Sequence, residues 1–373
     1  MHNIKRRIQP LRKRRSPVVI GTGLVALDVV IPHGLDTDPQ LRAGGTCGNV
    51  LTALSYLGWN SYPIARLSED GASKQVASDL KKWGVRLDFV TFGSEGSTPV
   101  VIQHIRNNKT GDPTHSFSRK CPCCGAFLPW YKAVRVADVT NLVPKLPTPQ
   151  VYFFDRTSPG ALALAKEARD LGAIVFFEPS TSSEPSHLAE ALELAHIVKI
   201  SSDRIASNEA VLSSCQPQIV IETQGSMGLR LRHTPSEGKK RVRKWHTMES
   251  FPVDGVKDTA GAGDWCAAGI IHMLGAMGAK GLEKLTLDEI RKAVRLGQAM
   301  AAWACEFVGP RGGMYLYDYT SFEAHVLDLC EGRHELKTNT RTTTSTTNER
   351  QVFACELCRN GSTNPAKTRA HVR

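Results

Sequence analysis

No run of the 373-residue sequence approaches the ~18 uninterrupted apolar residues of a membrane helix. The longest candidate, Trp265–Gly278, is shorter and contains His272. The chain has no G-x-x-x-x-G-K-[ST], which excludes a P-loop, and neither G-x-S-x-G nor H-E-x-x-H occurs. No repeat of fixed period is present. The N-terminus lacks a secretory apolar region, because the basic stretch Lys5–Arg15 leads directly into a strand pattern. A cytoplasmic location without a disulfide framework is therefore expected, despite ten cysteines.

What is present suits a folded enzyme-sized body. A hydrophobic fraction of 41% can bury a sizeable core, and the length allows one or two domains. The formal charge of +11 is unevenly spread: residues 1–16 contribute +7 and residues 332–373 contribute 8 − 3 = +5, leaving 11 − 7 − 5 = −1 for the middle. Charge confined to two tails is a solvated feature. Nucleic acid is thus not expected as the main partner, and no membrane is.

From Ser16 onward, apolar runs alternate with helical stretches. Val18–Ile20, Val151–Phe154, Ile174–Phe177, Ile197–Ile200 and Ile219–Glu222 read as short strands. Gly44–Leu57, Ser73–Trp83, Ala161–Leu171 and Leu188–Ala195 have helical spacing. That order predicts an α/β fold, with a mainly parallel sheet covered on both faces. Residues 25–35 and 97–119 break the alternation as extended segments and suit a small accessory sheet. Residues 332–350 are polar and Thr-rich, as in a linker, and 351–373 form a last short segment with Cys355 and Cys358.

Gly21-Thr22-Gly23-Leu24-Val25-Ala26 formally fits a dinucleotide fingerprint, but Leu27–Pro32 is β-branched and then stopped by proline, so no helix is expected there. Asp258-Thr259-Ala260-Gly261-Ala262-Gly263-Asp264 is different. It precedes the apolar helical stretch Trp265–Leu274 and leaves bare N–H groups at a helix start, where an anion can approach. A carboxylate at Asp264 repels a resting phosphate. It makes sense as a base that takes a proton from an attacking hydroxyl while the N–H groups stabilise the transferred phosphoryl. Gly44-Gly45-Thr46-Cys47-Gly48-Asn49 enters the first long helix, with Asp28 on the preceding extended segment. A carboxylate and an amide converging on one spot suit the hydroxyls of a polyol.

In this order the motifs resemble the PfkB/ribokinase family of small-molecule kinases: Asp28 after the first strand, Gly44-Gly45-x-x-x-Asn49, Leu57-Gly58, Glu222-Thr223-x-Gly225-x-x-Gly228, and Asp258-Thr259-x-Gly261-Ala262-Gly263-Asp264. The match covers roughly residues 17–315. The resemblance implies a ribokinase-like doubly wound sheet with a small β-sheet lid, from about 25–43 and 97–119, in a kinase domain spanning 17–331. It implies transfer of the ATP γ-phosphate to a hydroxymethyl group of a sugar, nucleoside or related polyol, with Mg²⁺, and allows a homodimer through the lid. By the same resemblance Asp264 is the general base and Gly261, Ala262 and Gly263 the anion hole. Asp28, Gly44, Gly45 and Asn49 fall on substrate positions, and Thr223, Gly225 and Gly228 on the nucleotide loop. Asp258 matches the monovalent-cation site of potassium-dependent members. One departure concerns the N-x-x-E motif that organises Mg²⁺ through water: the corresponding stretch is Lys199-Ile200-Ser201-Ser202-Asp203-Arg204, and Asp203 and Glu222 are the candidate substitutes.

Cys121-Pro122-Cys123-Cys124-Gly125 has the form of half a zinc ribbon. The other C-x-x-C is Cys355–Cys358 in the tail. Cys121, Cys124, Cys355 and Cys358 are expected to share one structural Zn²⁺, with Cys123 pointing away. The rival to a kinase is a catalytically altered relative that acts as a binding or regulatory protein through this ribbon and its basic tails.

Overall fold

The computed structural model describes residues 16–31, 39–107, 113–179, 184–202, 217–234, 244–253 and 255–333. Two sheets organise them. The larger has nine strands in the order β13-β12-β11-β10-β9-β8-β1-β4-β5, and the smaller has four in the order β3-β2-β6-β7. Along the chain these are β1 (Val18–Thr22), β2 (Ala26–Ile31), β3 (Gln40–Gly44), β4 (Asn60–Leu67), β5 (Val90–Phe92), β6 (Val100–Asn107), β7 (Pro113–Ser118), β8 (Val151–Phe154), β9 (Ile174–Phe177), β10 (Ile197–Ser201), β11 (Ile219–Thr223), β12 (Leu229–His233) and β13 (Trp245–Met248). The helices that concern the site are α1 (Thr46–Tyr56), α2 (Gly71–Lys82), α3 (Pro159–Asp170), α4 (Ala262–Leu274), α5 (Leu287–Cys305) and α6 (Gly312–Leu316).

The expected α/β fold with a small lid sheet is what forms. The large sheet is parallel from β5 through β11, with β12 and β13 returning antiparallel at one edge. The lid uses the two segments that broke the alternation, β2–β3 and β6–β7. Gly21–Ala26 leads into the strand β2 rather than a helix, which removes the dinucleotide fingerprint. Buried residues alternate along β8: Val151 and Phe153 enter one core, Tyr152 and Phe154 the other, as the strand period of two requires. Both faces of the sheet are therefore covered, and its functional loops emerge at the carboxyl ends of the strands. Sheet order reverses at β1, with β4 on one side and β8 on the other. Such a switch point opens a crevice for ligands.

Local signals set the helix boundaries. Asp70 and Ser73 close a capping box on α2, and Thr286 and Glu289 do so on α5. By contrast, α1 and α4 begin at Gly45 and Gly261 with no side-chain cap. Buried Trp265–Leu274 fixes α4 in the core, and its Gly269 packs against Gly297 of α5, where an added Cβ would lie 2.8 Å from the Gly297 Cα. Among the described residues, no helix is long and apolar enough to cross a membrane. The linker, the C-terminal segment with Cys355 and Cys358, and all but Ser16 of the basic tail fall outside them, as do Asp203 and Arg204.

Candidate active site

The centre of the candidate site is a contact across 215 residues of sequence: Asn49 Nδ2 donates to Asp264 Oδ2 at 2.8 Å. Gly261 makes this possible from below. It caps α4 in the left-handed region at φ 79°, and a Cβ there would meet the Pro310 Cα at 2.6 Å. The chain can therefore turn tightly against residue 310 and place Ala262, Gly263 and Asp264 on the first helical turn, whose N–H groups have no partner within the helix. Burial pushes the Asp264 carboxyl up to about 8, helped by the charges of Glu178 and Asp155, and opposed by the Asn49 hydrogen bond and Lys199. A base with that affinity suits proton transfer near neutral pH.

Two residues beside the Gly261–Gly263 turn were given no role by sequence reasoning. Glu178 follows β9 and Lys199 lies in β10; both are buried and paired with each other. A Cβ built at Gly263 would stand 3.5 Å from Lys199 Nζ and 3.6 Å from Glu178 Oε1, so the pair borders the Gly261–Gly263 turn. The signal for Lys199 was a lone charge inside the apolar run Ile197–Ile200, which is out of place unless partnered. Thr223 pairs in register with Ser201, two residues beyond Lys199, so the glycine turn 225–228 leaves the same end of the sheet as β10. Gly225 and Gly228 adopt φ values of 60° and 97° in that turn. Glu222, a candidate for magnesium, is instead held by Arg230 Nε at 2.6 Å.

Asp28 lies on β2 directly opposite Arg42 of β3. Its carboxylate occupies the space a Cβ at Gly44 would need, 1.8 Å from Oδ2, which explains a glycine at the mouth of α1. Burial raises Asp28 to about 7, a shift that Asp258 reinforces and that Arg311 and the Gly45 N–H oppose. Arg311 is buried, and its Nε donates to Asn49 Oδ1 at 3.1 Å. The structure thus sets Asp28 against Gly44 and Asn49 against Asp264, and holds Asn49 with a buried arginine that the sequence reading passed over, flagged only by its glycine-rich surroundings at 309–313.

Asp258 is differently placed. Its Oδ2 accepts from Gln103 Nε2 at 2.5 Å and the Gly309 N–H at 3.0 Å, and its Oδ1 from the Ala260 N–H at 2.9 Å. His115 Nδ1 stands 3.5 Å from Oδ1. Gln103 and His115 belong to the lid, so this aspartate joins lid and loop.

Away from this centre, residues 120–127 form a tight hairpin. Cys121 N–H donates to Ala126 O at 2.8 Å, Gly125 N–H to Cys121 O at 2.9 Å, and Gly125 adopts φ 74°. Cys121 is buried, whereas Cys123 and Cys124 are exposed. No group of three metal-binding side chains occurs among the described residues, and Cys355 and Cys358 lie outside them.

Comparison with known proteins agrees with this arrangement. Residues 161–314 match the model of the pfkB family of carbohydrate kinases. An ATP-dependent ribose-1-phosphate kinase from Halopiger xanaduensis is 27% identical over 245 residues, covering 61% of this chain and 72% of that protein. A fructokinase from Klebsiella pneumoniae is 27% identical over 260 residues, covering 63% and 78%. Among solved structures, a fructokinase from Xylella fastidiosa with bound ATP superposes with a TM-score of 0.62 at 18% identity, covering 85% of this chain and 99% of that one. Aminoimidazole riboside kinase from Salmonella enterica, complexed with its riboside and an ATP analogue, gives 0.61 at 20% identity, covering 83% and 99%. The described chain therefore has the ribokinase-type fold, and its residues 161–314 are similar in sequence to the pfkB family of carbohydrate kinases.

Proposed function

We propose that the protein is an ATP-dependent kinase that transfers the γ-phosphate to a hydroxymethyl group of a sugar, nucleoside or related polyol. The observation that carries this reading is the placement of Asp264. It is a half-buried carboxylate of raised proton affinity on the first turn of an uncapped helix, with Asn49 on one side and Lys199 on the other. Asp28, Gly44, Gly45 and Asn49 hold the acceptor, whose hydroxyls find a carboxylate and an amide at the mouth of α1. Asp264 takes the proton of the attacking hydroxyl. The N–H groups around Gly261, Ala262 and Gly263, with Lys199 beside them, stabilise the charge on the transferred phosphoryl. Thr223, Gly225 and Gly228 form the nucleotide loop, which leaves the same end of the sheet as β10.

Magnesium would supply charge neutralisation on the nucleotide phosphates. The donor set fits it in part: Glu178 brings a carboxylate to the Gly263 turn, whereas Glu222 is engaged by Arg230. A monovalent cation at Asp258 would have to share a carboxylate that already accepts from three donors, and a potassium titration of the rate tests it. For zinc, the knuckle 121–125 supplies Cys121 and Cys124 on a turn of suitable form, with Cys355 and Cys358 proposed as the other two ligands. Metal analysis should then give about one zinc per chain, lost on truncation at Arg350. Retention of full zinc by the truncated chain refutes the shared site. Dimerisation through the lid and a cytoplasmic location remain proposals on the same footing.

The experiment that tests the kinase is ATP consumption against a panel of sugars, sugar phosphates and nucleosides, comparing wild type with Asp264→Asn. Acceptor-dependent turnover that vanishes in the variant supports it. Failure to phosphorylate any acceptor, with ATP still bound, favours instead a binding protein that keeps the fold.

A further inference from the structure

We infer that Arg311 is a positioning residue for the phosphoryl-transfer centre: it fixes the Asn49 amide so that its NH₂ faces Asp264, and it ties that pair to the lid strand β3. The inference rests on the reading of Asp264 as the base.

Arg311 is 2% exposed and joins four segments of the chain. Its Nε donates to Asn49 Oδ1 at 3.1 Å, and its Nη2 donates to Asp79 Oδ2 at 2.7 Å and to the Ala43 carbonyl. Asp79 in turn accepts from the Ala43 N–H at 2.8 Å and from the Tyr315 hydroxyl at 2.7 and 2.8 Å. Burial alone would raise the Asp79 pKa; the Arg311 charge and these hydrogen bonds more than offset it and hold the carboxylate below its usual range. The counter-charge is thus anchored, and the guanidinium is anchored to it.

A guanidinium has only donors. The end of the Asn49 amide that meets Arg311 has to be its oxygen, so the NH₂ points the other way, at Asp264 Oδ2. One N–H of that group is used on the base, and the second is left for the acceptor substrate. A flipped amide would set N–H against N–H at Arg311 and oxygen against oxygen at Asp264. Meanwhile the Ala43 carbonyl, one residue before Gly44, is held by the same Nη2. The acceptor-binding mouth and the base are therefore set in one hydrogen-bonded unit, although Asn49 and Arg311 are 262 residues apart. Lysine at 311 would keep the charge near Asp79 but could not supply the forked contact to Asn49, Ala43 and Asp79.

The test is a double-mutant cycle at residues 49 and 311, with ATP as donor and ribose 1-phosphate and D-fructose as acceptors. Arg311→Lys should lower kcat by about tenfold or more, the loss of one hydrogen bond to a charged group, with KM for ATP changed less than about twofold. In an Asn49→Ala background the same substitution should change kcat by less than about twofold, because the group it positions is gone. Tyr315→Phe is the graded case: it loosens Asp79 and so reaches Arg311 only through one further link, and it should lower the melting temperature while lowering kcat by less than Arg311→Lys does. Effects of Asn49→Ala and Arg311→Lys that simply multiply would overturn the inference, as would a Tyr315→Phe variant that loses kcat as Arg311→Lys does. Should Arg311→Lys not fold, Arg311→Gln takes its place. A crystal structure of the variant decides the point without turnover. The Asn49–Asp264 contact, 2.8 Å here, should open beyond roughly 3.5 Å or the amide should turn, and its retention at the same length would refute the role. Full turnover in Asp264→Asn would instead remove the base assignment, and the crystallographic result would still stand on its own.

Discussion

Asp258 and Asp264 bracket one seven-residue stretch and have opposite environments: Asp258 is buried in the loop, whereas Asp264 is half-buried on the first turn of α4. Asp258 accepts from Gln103, Ala260 and Gly309, so its charge is met by donors from the lid and from two loops. Asp264 has Asn49 on one oxygen, and desolvation first, then the charges of Glu178 and Asp155, push its affinity for a proton up. A carboxylate surrounded by donors has its oxygens satisfied by hydrogen bonds; one that is desolvated, short of donors and near like charge takes a proton more readily. The first arrangement holds the loop in place against the lid. The second suits the proposed role of Asp264 as a base.

The largest expected effect falls on Asp264. Its replacement by Asn should reduce kcat by ~10²–10⁴-fold, the usual worth of a general base, with ATP affinity nearly unchanged as read by calorimetry. The same carboxylate sets the pH profile. It must be deprotonated to act and is raised to about 8, so kcat/KM should fall about tenfold per pH unit below that value. A rate that is flat from pH 6 to 8 would contradict the assignment.

At the substrate end, Asp28→Ala should weaken acceptor binding by about 1.5–3 kcal/mol, the range for hydrogen bonds to a charged group. Nucleotide affinity should stay as it was. Equal loss of both ligands would point to a folding defect and remove Asp28 from the substrate site.

Stability separates the two loop aspartates by sign. Asp258→Asn sets an NH₂ among N–H donors and should cost about 1–3 kcal/mol in chemical denaturation. Asp264→Asn should do the reverse. With a folded pKa of about 8 against an unfolded value near 3.8, wild type holds a proton that the unfolded chain has released, so its stability declines as pH rises between those values. The neutral Asn variant escapes that decline, and its advantage should grow from pH 5 to pH 8. Parallel stability curves for wild type and Asp264→Asn would break the contrast.

The smallest effect sharpens it at the glycines. Gly261→Ala forces a left-handed backbone and a contact of 2.6 Å with Pro310, so it should destabilise the fold. At Gly263 the added methyl meets Lys199 Nζ at an ordinary 3.5 Å. Gly263→Ala should therefore fold normally, with a melting temperature close to wild type, and show its effect only as a raised KM for ATP.

Local chemistry makes much of this legible in the amino-acid sequence. The strand and helix alternation depends on near neighbours, and so do the glycine turns at 44–45, 225–228 and 261–263, where a backbone has to bend in a way most side chains forbid. The lid segments are visible because extended, polar-apolar stretches interrupt a helical pattern. The antiparallel return of β12 and β13 is not, since pairing direction depends on where the chain goes next rather than on the strand itself.

The site divides in the same way. Asn49, Asp258 and Asp264 stand out in sequence because each lies in a glycine-containing motif that leads into a helix, and Asp28 because it is a lone acid on an extended apolar segment where the family resemblance places a substrate residue. Glu178 and Lys199 are single charges in or after apolar strands, and nothing within a few residues of either says that the other is its partner. Sequence by itself determined the turns, the helix starts and the residues able to carry a proton or an anion, because those properties belong to a few adjacent residues. Only the tertiary structure decided which carboxylate is saturated and which is left with a raised proton affinity. It also decided that Arg311 should reach Ala43, Asn49 and Asp79 at once. Electrostatic environment is a property of what surrounds a charge in space, and here those surroundings come from strands and helices up to 268 residues away along the chain.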